Sequence, residues 1–214
     1  MATLDPTSVK RRSPLNQRHV TSHALFKEFG GNLLVGHYGD IKSIQEEYSQ
    51  AQMLAICDLS TLPRLGFKGP GAPSWLETQK LKLPTLPNTA KCQHTGSLVA
   101  KLSDQEVLIL SDIFALSNDV ATLSHKAEID HQNYDKQTYI LPRGDSHCWL
   151  AVTGTQASEM FSKICGIDLR SHKFAHGDIA QTSVAKTNAV VIRNDLGSTP
   201  GFYILSDISG VEFL

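Results

Sequence analysis

Residues 65–76 read LGFKGPGAPSWL, and residues 150–161 read LAVTGTQASEMF. Each is an apolar, strand-like run followed by a glycine, two residues, an alanine and a helix-forming stretch. The first copy has the outward look of a phosphate-gripping loop, being glycine-rich and carrying Lys68. A P-loop needs G-x-x-x-x-G-K-[ST], in which backbone amides wrap the phosphates, the lysine neutralises them and the hydroxyl reaches the metal. Here Lys68 precedes the glycines, no Lys-Ser or Lys-Thr follows them, and Pro70 and Pro73 remove two amide donors. A dinucleotide fingerprint also fails, because Ser74 stands where the third glycine belongs. Both copies keep a glycine for the turn (Gly69, Gly154) and a small residue for close helix packing (Ala72, Ala157). The motif therefore reads as a repeated strand-to-helix turn.

The repetition extends beyond the turn. Residues 108–112 read LILSD and residues 203–207 read YILSD, each closing a predicted hairpin. The first hairpin pairs 97–102 with 106–110 through a turn at 103–105, and the second pairs 183–193 with 201–205 through 195–200. Each half thus runs strand, helix, strand, strand. The expected fold is α+β: internally duplicated βαββ units with antiparallel sheets and flanking helices. Residues 1–12 are expected to be a disordered tail, and 13–214 a single pseudo-symmetric domain with halves at about 56–130 and 138–214. A helix is expected over 40–54, N-capped by Asp40, with Ile41, Ile44, Tyr48, Ala51 and Leu54 or Ala55 at the spacing of one apolar face, and another over 113–127.

A formal net charge of −1 gives no electrostatic footprint for nucleic acid or an anionic membrane, and Lys10-Arg11-Arg12 reads as a solvated tail. No run is long and apolar enough for a membrane span, and the first residues lack the apolar centre of a secretory signal. Cys57, Cys92, Cys148 and Cys165 are widely spaced, as suits reduced thiols in a cytoplasmic protein, and three of them sit in or beside apolar runs where burial is expected. His172 and His176, Cys92 with His94, and His147 with Cys148 juxtapose metal-type ligands without a finger spacing, so no metal is expected. Arg64 and Arg193 lie on predicted strands, where a planar fork either clamps a carboxylate or forms a sheet-face ion pair. Asn88 follows Pro87 and reads as a turn former.

Ser13-Pro14-Leu15 with His19, Phe26, Phe29-Gly30-Gly31, Tyr38-Gly39-Asp40, Glu46-Glu47-Tyr48, Asp58-Leu59-Ser60 and the first glycine turn occur in an order that resembles the folate-binding T-protein superfamily. That superfamily contains the aminomethyltransferase of glycine cleavage. The second half, with Ile164-Cys-Gly-Ile-Asp168-Leu169, Phe174, Gly177, Gln181-Thr182 and Arg193, is similar to one branch, the gamma subunit of heterotetrameric sarcosine oxidase. The resemblance implies a T-protein-like folate-binding fold around a central cleft. Tyr38, Glu47 and Asp58 match family positions, Asn88 lies near a family asparagine, and Arg64 and Arg193 are the remaining folate- or partner-binding candidates. It also implies a catalytic aspartate on a strand after the first helix. The matching stretch, 95–102, reads TGSLVAKL and has no carboxylate; Asp104 follows in the turn.

The expectation is therefore an accessory subunit without catalytic residues, in a sarcosine oxidase complex that couples oxidative demethylation of sarcosine to tetrahydrofolate. FAD, FMN and NAD are expected on the larger flavin-containing partner subunits and none on this chain. Tetrahydrofolate stays open as a ligand, and so does the alternative of a stand-alone folate-binding protein or aminomethyltransferase-like enzyme of one-carbon metabolism. The apolar residues Val211, Phe213 and Leu214 are expected to tuck into the core or meet a partner.

Overall fold

The computed structural model describes residues 11–29, 31–39, 41–114, 116–130 and 137–214. Most of the expected tail and the expected N-cap, Asp40, lie outside them. The chain opens with α1 (Asn16–Thr21), β1 (Ala24–Phe29), β2 (Asn32–Tyr38), α2 (Ile41–Met53) and β3 (Ala55–Asp58). The first repeat follows as β4 (Arg64–Lys68), α3 (Ala72–Thr78), β5 (Thr89–Cys92), β6 (Leu98–Ser103), β7 (Glu106–Leu110) and α4 (Asp119–Asp130). Next come β8 (Tyr139–Leu141) and α5 (Arg143–Ser146). The second repeat is β9 (His147–Thr153), α6 (Ala157–Ile164), β10 (Ile179–Val184), β11 (Thr187–Arg193) and β12 (Gly201–Asp207), ending in a 3-10 helix at Ile208–Phe213.

The described strand pairings are antiparallel, and the fold is α+β, as the repeat implied. β1 and β2 form a hairpin of their own. The other strands build two five-stranded sheets on one plan, β5-β6-β7-β4-β8 and β10-β11-β12-β9-β3. Each copy is fuller than the sequence reading, with a further strand after its helix (β5, β10). Each sheet also takes its fifth strand from the other copy's approach. β3 leads along the chain into β4 yet pairs with β9, and β8 leads towards β9 yet pairs with β4. The described residues accordingly sort into two compact units. One holds the chain up to Thr61 with His147–His176 and Thr182–Leu214; the other holds Leu62–Ser146 and Gly177–Gln181.

The repeated glycine is what admits that fifth strand. In the first unit Thr155 and Gln156 donate their N–H groups to the carbonyls of Gln52 and Met53, each at 2.9 Å, just before β3 begins. Gly154 sits at φ +111°, and a Cβ there would collide with the Met53 carbonyl. In the second unit Gly71 donates to Gln137 O at 3.2 Å, just before β8, and a Cβ on Gly69, at φ +122°, would collide with that same carbonyl. Only glycine tolerates both the positive φ and the close approach. The place where a P-loop would seat a phosphate is thus taken by the chain's own carbonyl, which settles the reading of Lys68 and its glycines.

Around these turns each unit packs its own core. In the second unit Leu65, Phe67, Leu76, Val99, Val107, Ile109, Val120 and Leu123 cluster under α3 and α4. Phe67 and Trp75 pack with ring centroids 5.0 Å apart, and the Trp75 indole donates to Asp130 at 3.1 Å. In the first unit Phe161 on α6 meets Phe202 edge-on at 5.1 Å, and Trp149 meets Tyr203 in the same way at 5.3 Å. Offset and edge-on geometries of this kind add roughly 0.5–1.5 kcal/mol each to area burial.

Four local expectations are corrected. The arm expected over 183–193 is two strands, β10 and β11, joined by Ala185-Lys186 at φ +47° and +67°, a two-residue turn of the I′ kind without the usual Asn-Gly. The helix expected over 113–127 starts only at Asp119, because the Asp112 carboxylate captures the N–H groups of Phe114 (3.0 Å) and Leu116 (2.9 Å) and offers the backbone a competing turn. On α2, Ile44 and Tyr48 do not face the core; they are 39% and 67% exposed. Of the cysteines only Cys148 is buried, Cys165 is half-buried, and Cys57 and Cys92 are exposed. The 3-10 helix both tucks in and projects: Val211 is buried and Phe213 is 83% exposed.

Replacing Gly69 or Gly154 by Ala is expected to cost about 3 kcal/mol or more, because the added methyl must displace backbone. Gly166→Ala, with nothing within 4 Å of its would-be Cβ, should stay within about 0.5 kcal/mol of the parent. Urea denaturation of the three variants checks the contrast.

Candidate functional site

Three of the six candidate residues converge in the first unit. Asp58 closes β3, where its pairing with Leu150 and the bond from Leu59 N–H to Trp149 O (2.8 Å) fix the backbone. Its carboxylate accepts from Ser13 Oγ, from His19 Nε2 at 2.9 Å and from the Ser60 N–H at 2.8 Å. The other ring nitrogen of His19, Nδ1, lies 2.8 Å from the Tyr38 hydroxyl. A carboxylate can only accept, so Nε2 carries the proton, and in neutral His19 Nδ1 accepts from the Tyr38 O–H. Tyr38 ends β2, and its own N–H donates to Glu47 Oε1 of α2 at 2.7 Å. A chain of polar bonds thus ties α1, β2, α2 and β3 together.

The charges follow from this geometry. Burial pushes the Asp58 carboxyl up, but the hydrogen bonds from His19, Ser13 and Ser60 outweigh it and hold it below the usual carboxylate range. Burial raises the Tyr38 hydroxyl, with further contributions from Cys57, Asp58 and Glu47. The Cys57 thiol, although its residue has an exposed edge, is pushed up to about 11 by desolvation and then by the Asp58 and Glu47 charges. The network therefore offers a fixed anion and two groups that resist ionising.

The other three candidates are placed apart from this network. Arg193, on β11, forks onto Asp195 (3.0 and 3.2 Å), donates to Phe174 O at 2.6 Å and lies over the Phe202 ring. In the second unit Arg64 is buried and donates to Leu62 O (2.8 Å) and Gly144 O (3.0 Å). Asn88 takes φ +57° as a turn residue; its N–H donates to Lys101 O at 2.7 Å and its side chain accepts from Gln181 at 2.8 Å. Both arginine forks are bonded within their own unit. The oxygens of Asp58 are likewise filled from within. Among the described residues no three His, Cys, Asp or Glu side chains form a group that could hold a metal. Nor is any helix among them long and apolar enough to cross a membrane.

The sequence reading left Ser13 and His19 out of the candidate set although both stand in the motif that carried the resemblance. The signal was their presence beside Asp58-Leu59-Ser60 in that ordered string; no spacing along the chain shows that residues 13, 19, 38 and 58 meet.

Comparison with known proteins gives three findings. The GCVT N-terminal domain family matches residues 15–205. No curated protein sequence matches the chain. Among solved structures, a chain of the heterotetrameric sarcosine oxidase from Corynebacterium sp. U-96, in complex with pyrrole 2-carboxylate, superposes with TM-score 0.66 at 16% identity, covering 95% of this chain and 90% of that one. The glycine cleavage system aminomethyltransferase T from Bartonella henselae superposes with TM-score 0.65 at 15% identity, covering 93% of this chain and 54% of that one. This chain thus spans about half of the aminomethyltransferase. At these identities the superpositions speak for the fold.

Asp58 has a folded pKa below its unfolded value, so its contribution to stability is present above about pH 4 and lost as pH falls through the folded pKa. Asp58→Asn is expected to cost about 2–4 kcal/mol near neutral pH and to flatten the acid limb of the stability curve, as read by urea denaturation between pH 3 and 7. Cys57 is expected to react with iodoacetamide at pH 8 at least about tenfold more slowly than an unhindered peptide thiol, measured by mass spectrometry.

Proposed function

The chain belongs to the GCVT N-terminal domain family, and on that premise we propose that it acts as a non-catalytic, gamma-type subunit of a heterotetrameric sarcosine oxidase complex. One observation carries this reading. The strands that follow α3, β5 (TAKC) and β6 (LVAKLS), bear no carboxylate where the resemblance implies a catalytic aspartate. Asp104, the next acid along the chain, has a side chain 79% exposed and pairs with Lys101 at 3.2 Å. An exposed, lysine-bound carboxylate is a poor proton acceptor for a buried reaction centre.

The near-complete overlap with a sarcosine oxidase chain, against about half of an aminomethyltransferase, supports the subunit reading. The internal bonds of both arginine forks and of Asp58 agree with it; on this reading FAD, FMN and NAD belong to the larger subunits. Four free cysteines suit a reducing, cytoplasmic setting. Phe213, exposed at the end of the 3-10 helix, is the residue assigned to the partner contact.

Co-expression with flavin-containing sarcosine oxidase subunits, followed by size-exclusion chromatography, tests the proposal. The expected result is one complex that holds all the flavin, with the isolated chain showing no saturable tetrahydrofolate binding. Phe213→Asp should weaken assembly by about tenfold or more while leaving the melting temperature unchanged. A chain that stays monomeric beside those subunits and transfers one-carbon units to tetrahydrofolate alone would make it a stand-alone enzyme instead.

A further inference from the structure

α6 carries Ser158, Glu159 and Ser162, the first two set four and three residues before the third and therefore on one side of the helix. The chain after α6 turns back towards that side. Cys165 N–H donates to Phe161 O at 2.8 Å, and Ser158 Oγ donates across to Leu169 O at 3.1 Å. Between helix and returning chain lies an open groove of about 640 Å³, a volume in the range of small-molecule sites.

The helix side of the groove offers acceptors. The Ser158 hydroxyl hydrogen goes to Leu169 O and that of Ser162 to Glu159 O at 2.7 Å, so both hydroxyls meet a ligand with their lone pairs. The Glu159 carboxylate can only accept, and among the described residues it has no ion-pair partner. On the facing wall the Arg170 fork closes on the Asp168 carboxylate at 2.8 and 2.6 Å. That pair is neutral as a unit, so Glu159 sets the sign of the groove. Ile167, 39% exposed, and half-buried Cys165 add apolar surface beside these acceptors. One unpaired carboxylate is too little for a divalent metal, which takes several oxygen ligands.

We propose that this groove binds a small primary amine in its protonated form. The three N–H groups of the ammonium donate to the Glu159 carboxylate and to the Ser158 and Ser162 hydroxyl oxygens, and the alkyl chain lies on Ile167. The site belongs to the first unit alone and does not depend on assembly with partner subunits.

The test is a titration of the isotope-labelled full chain with butylammonium chloride at pH 7, with ionic strength held constant by sodium chloride and amide shifts read by NMR. The expected result is saturable shifts confined to residues 155–170, with Kd on the order of 1 mM for so small a ligand. Tetramethylammonium has the charge without the N–H donors and should bind about tenfold more weakly or worse. Glu159→Gln should weaken butylammonium by about tenfold, and Ser162→Ala by about threefold. Glu28→Gln, at an exposed carboxylate on β1, should change nothing. Linear shifts, shifts spread over other exposed carboxylates, equal binding of tetramethylammonium, or unchanged binding in Glu159→Gln each overturn the proposal. So does binding of Nα-acetyl-lysine methylamide about tenfold tighter than butylammonium, which would assign the groove to a lysine side chain of another protein. Both substituted residues are exposed, and the unshifted remainder of the spectrum reports that the variants are folded.

Discussion

Both sheets depend on a backbone carbonyl pressed against a residue with no side chain: Met53 against Gly154 in one unit and Gln137 against Gly69 in the other. That contact fixes where the segment before the fifth strand can run, and the strand register follows from it. Ala55 then falls opposite Thr153, and Tyr139 opposite Lys68. It also satisfies amides at the start of α3 and α6 that would otherwise be unpaired helix-end donors. One steric requirement, met twice, thus sets the sheet edge and the helix start.

Much of this architecture was legible because its signals are local. Gly69 and Gly154 each stand at a strand-to-helix turn, the LILSD and YILSD words end the last strand of each copy, and turn residues lie between the arms of 98–110. The parts that escaped depend on distant partners or atypical chemistry. β3 and β8 are four and three residues long, and their place is set by strands some distance away along the chain. Ala185-Lys186 makes a tight turn with residues that do not favour positive φ, held there by the strands on either side. The spacing of Ile44 and Tyr48 correctly gave a helix but said nothing of which face is covered. For the site, the ordered family motif carries Tyr38, Glu47 and Asp58, and these gather; Arg64 and Arg193 stand out only by their chemistry and Asn88 by its nearness to a family asparagine, and each bonds within its own neighbourhood.

The polar groups inside the first unit show how a scaffold holds a charge in place. Asp58 is ionised inside the unit because donors surround it. Tyr38 and Cys57 are held protonated beside it. Here the bonds run inward, tying α1 and the β1–β2 hairpin to β3.

The crossing of the fifth strands has a consequence for the nascent chain. β3 leaves the ribosome early, but its partner β9 is made roughly 90 residues later, which at ordinary elongation rates is on the order of ten seconds. Most of the second unit, Leu62–Ser146, is synthesised during that wait and can close first. The β1–β2 hairpin can pair on its own, but β3 must stay without its partner strand in the meantime, and it is over this interval that a holding chaperone would act on the growing polypeptide.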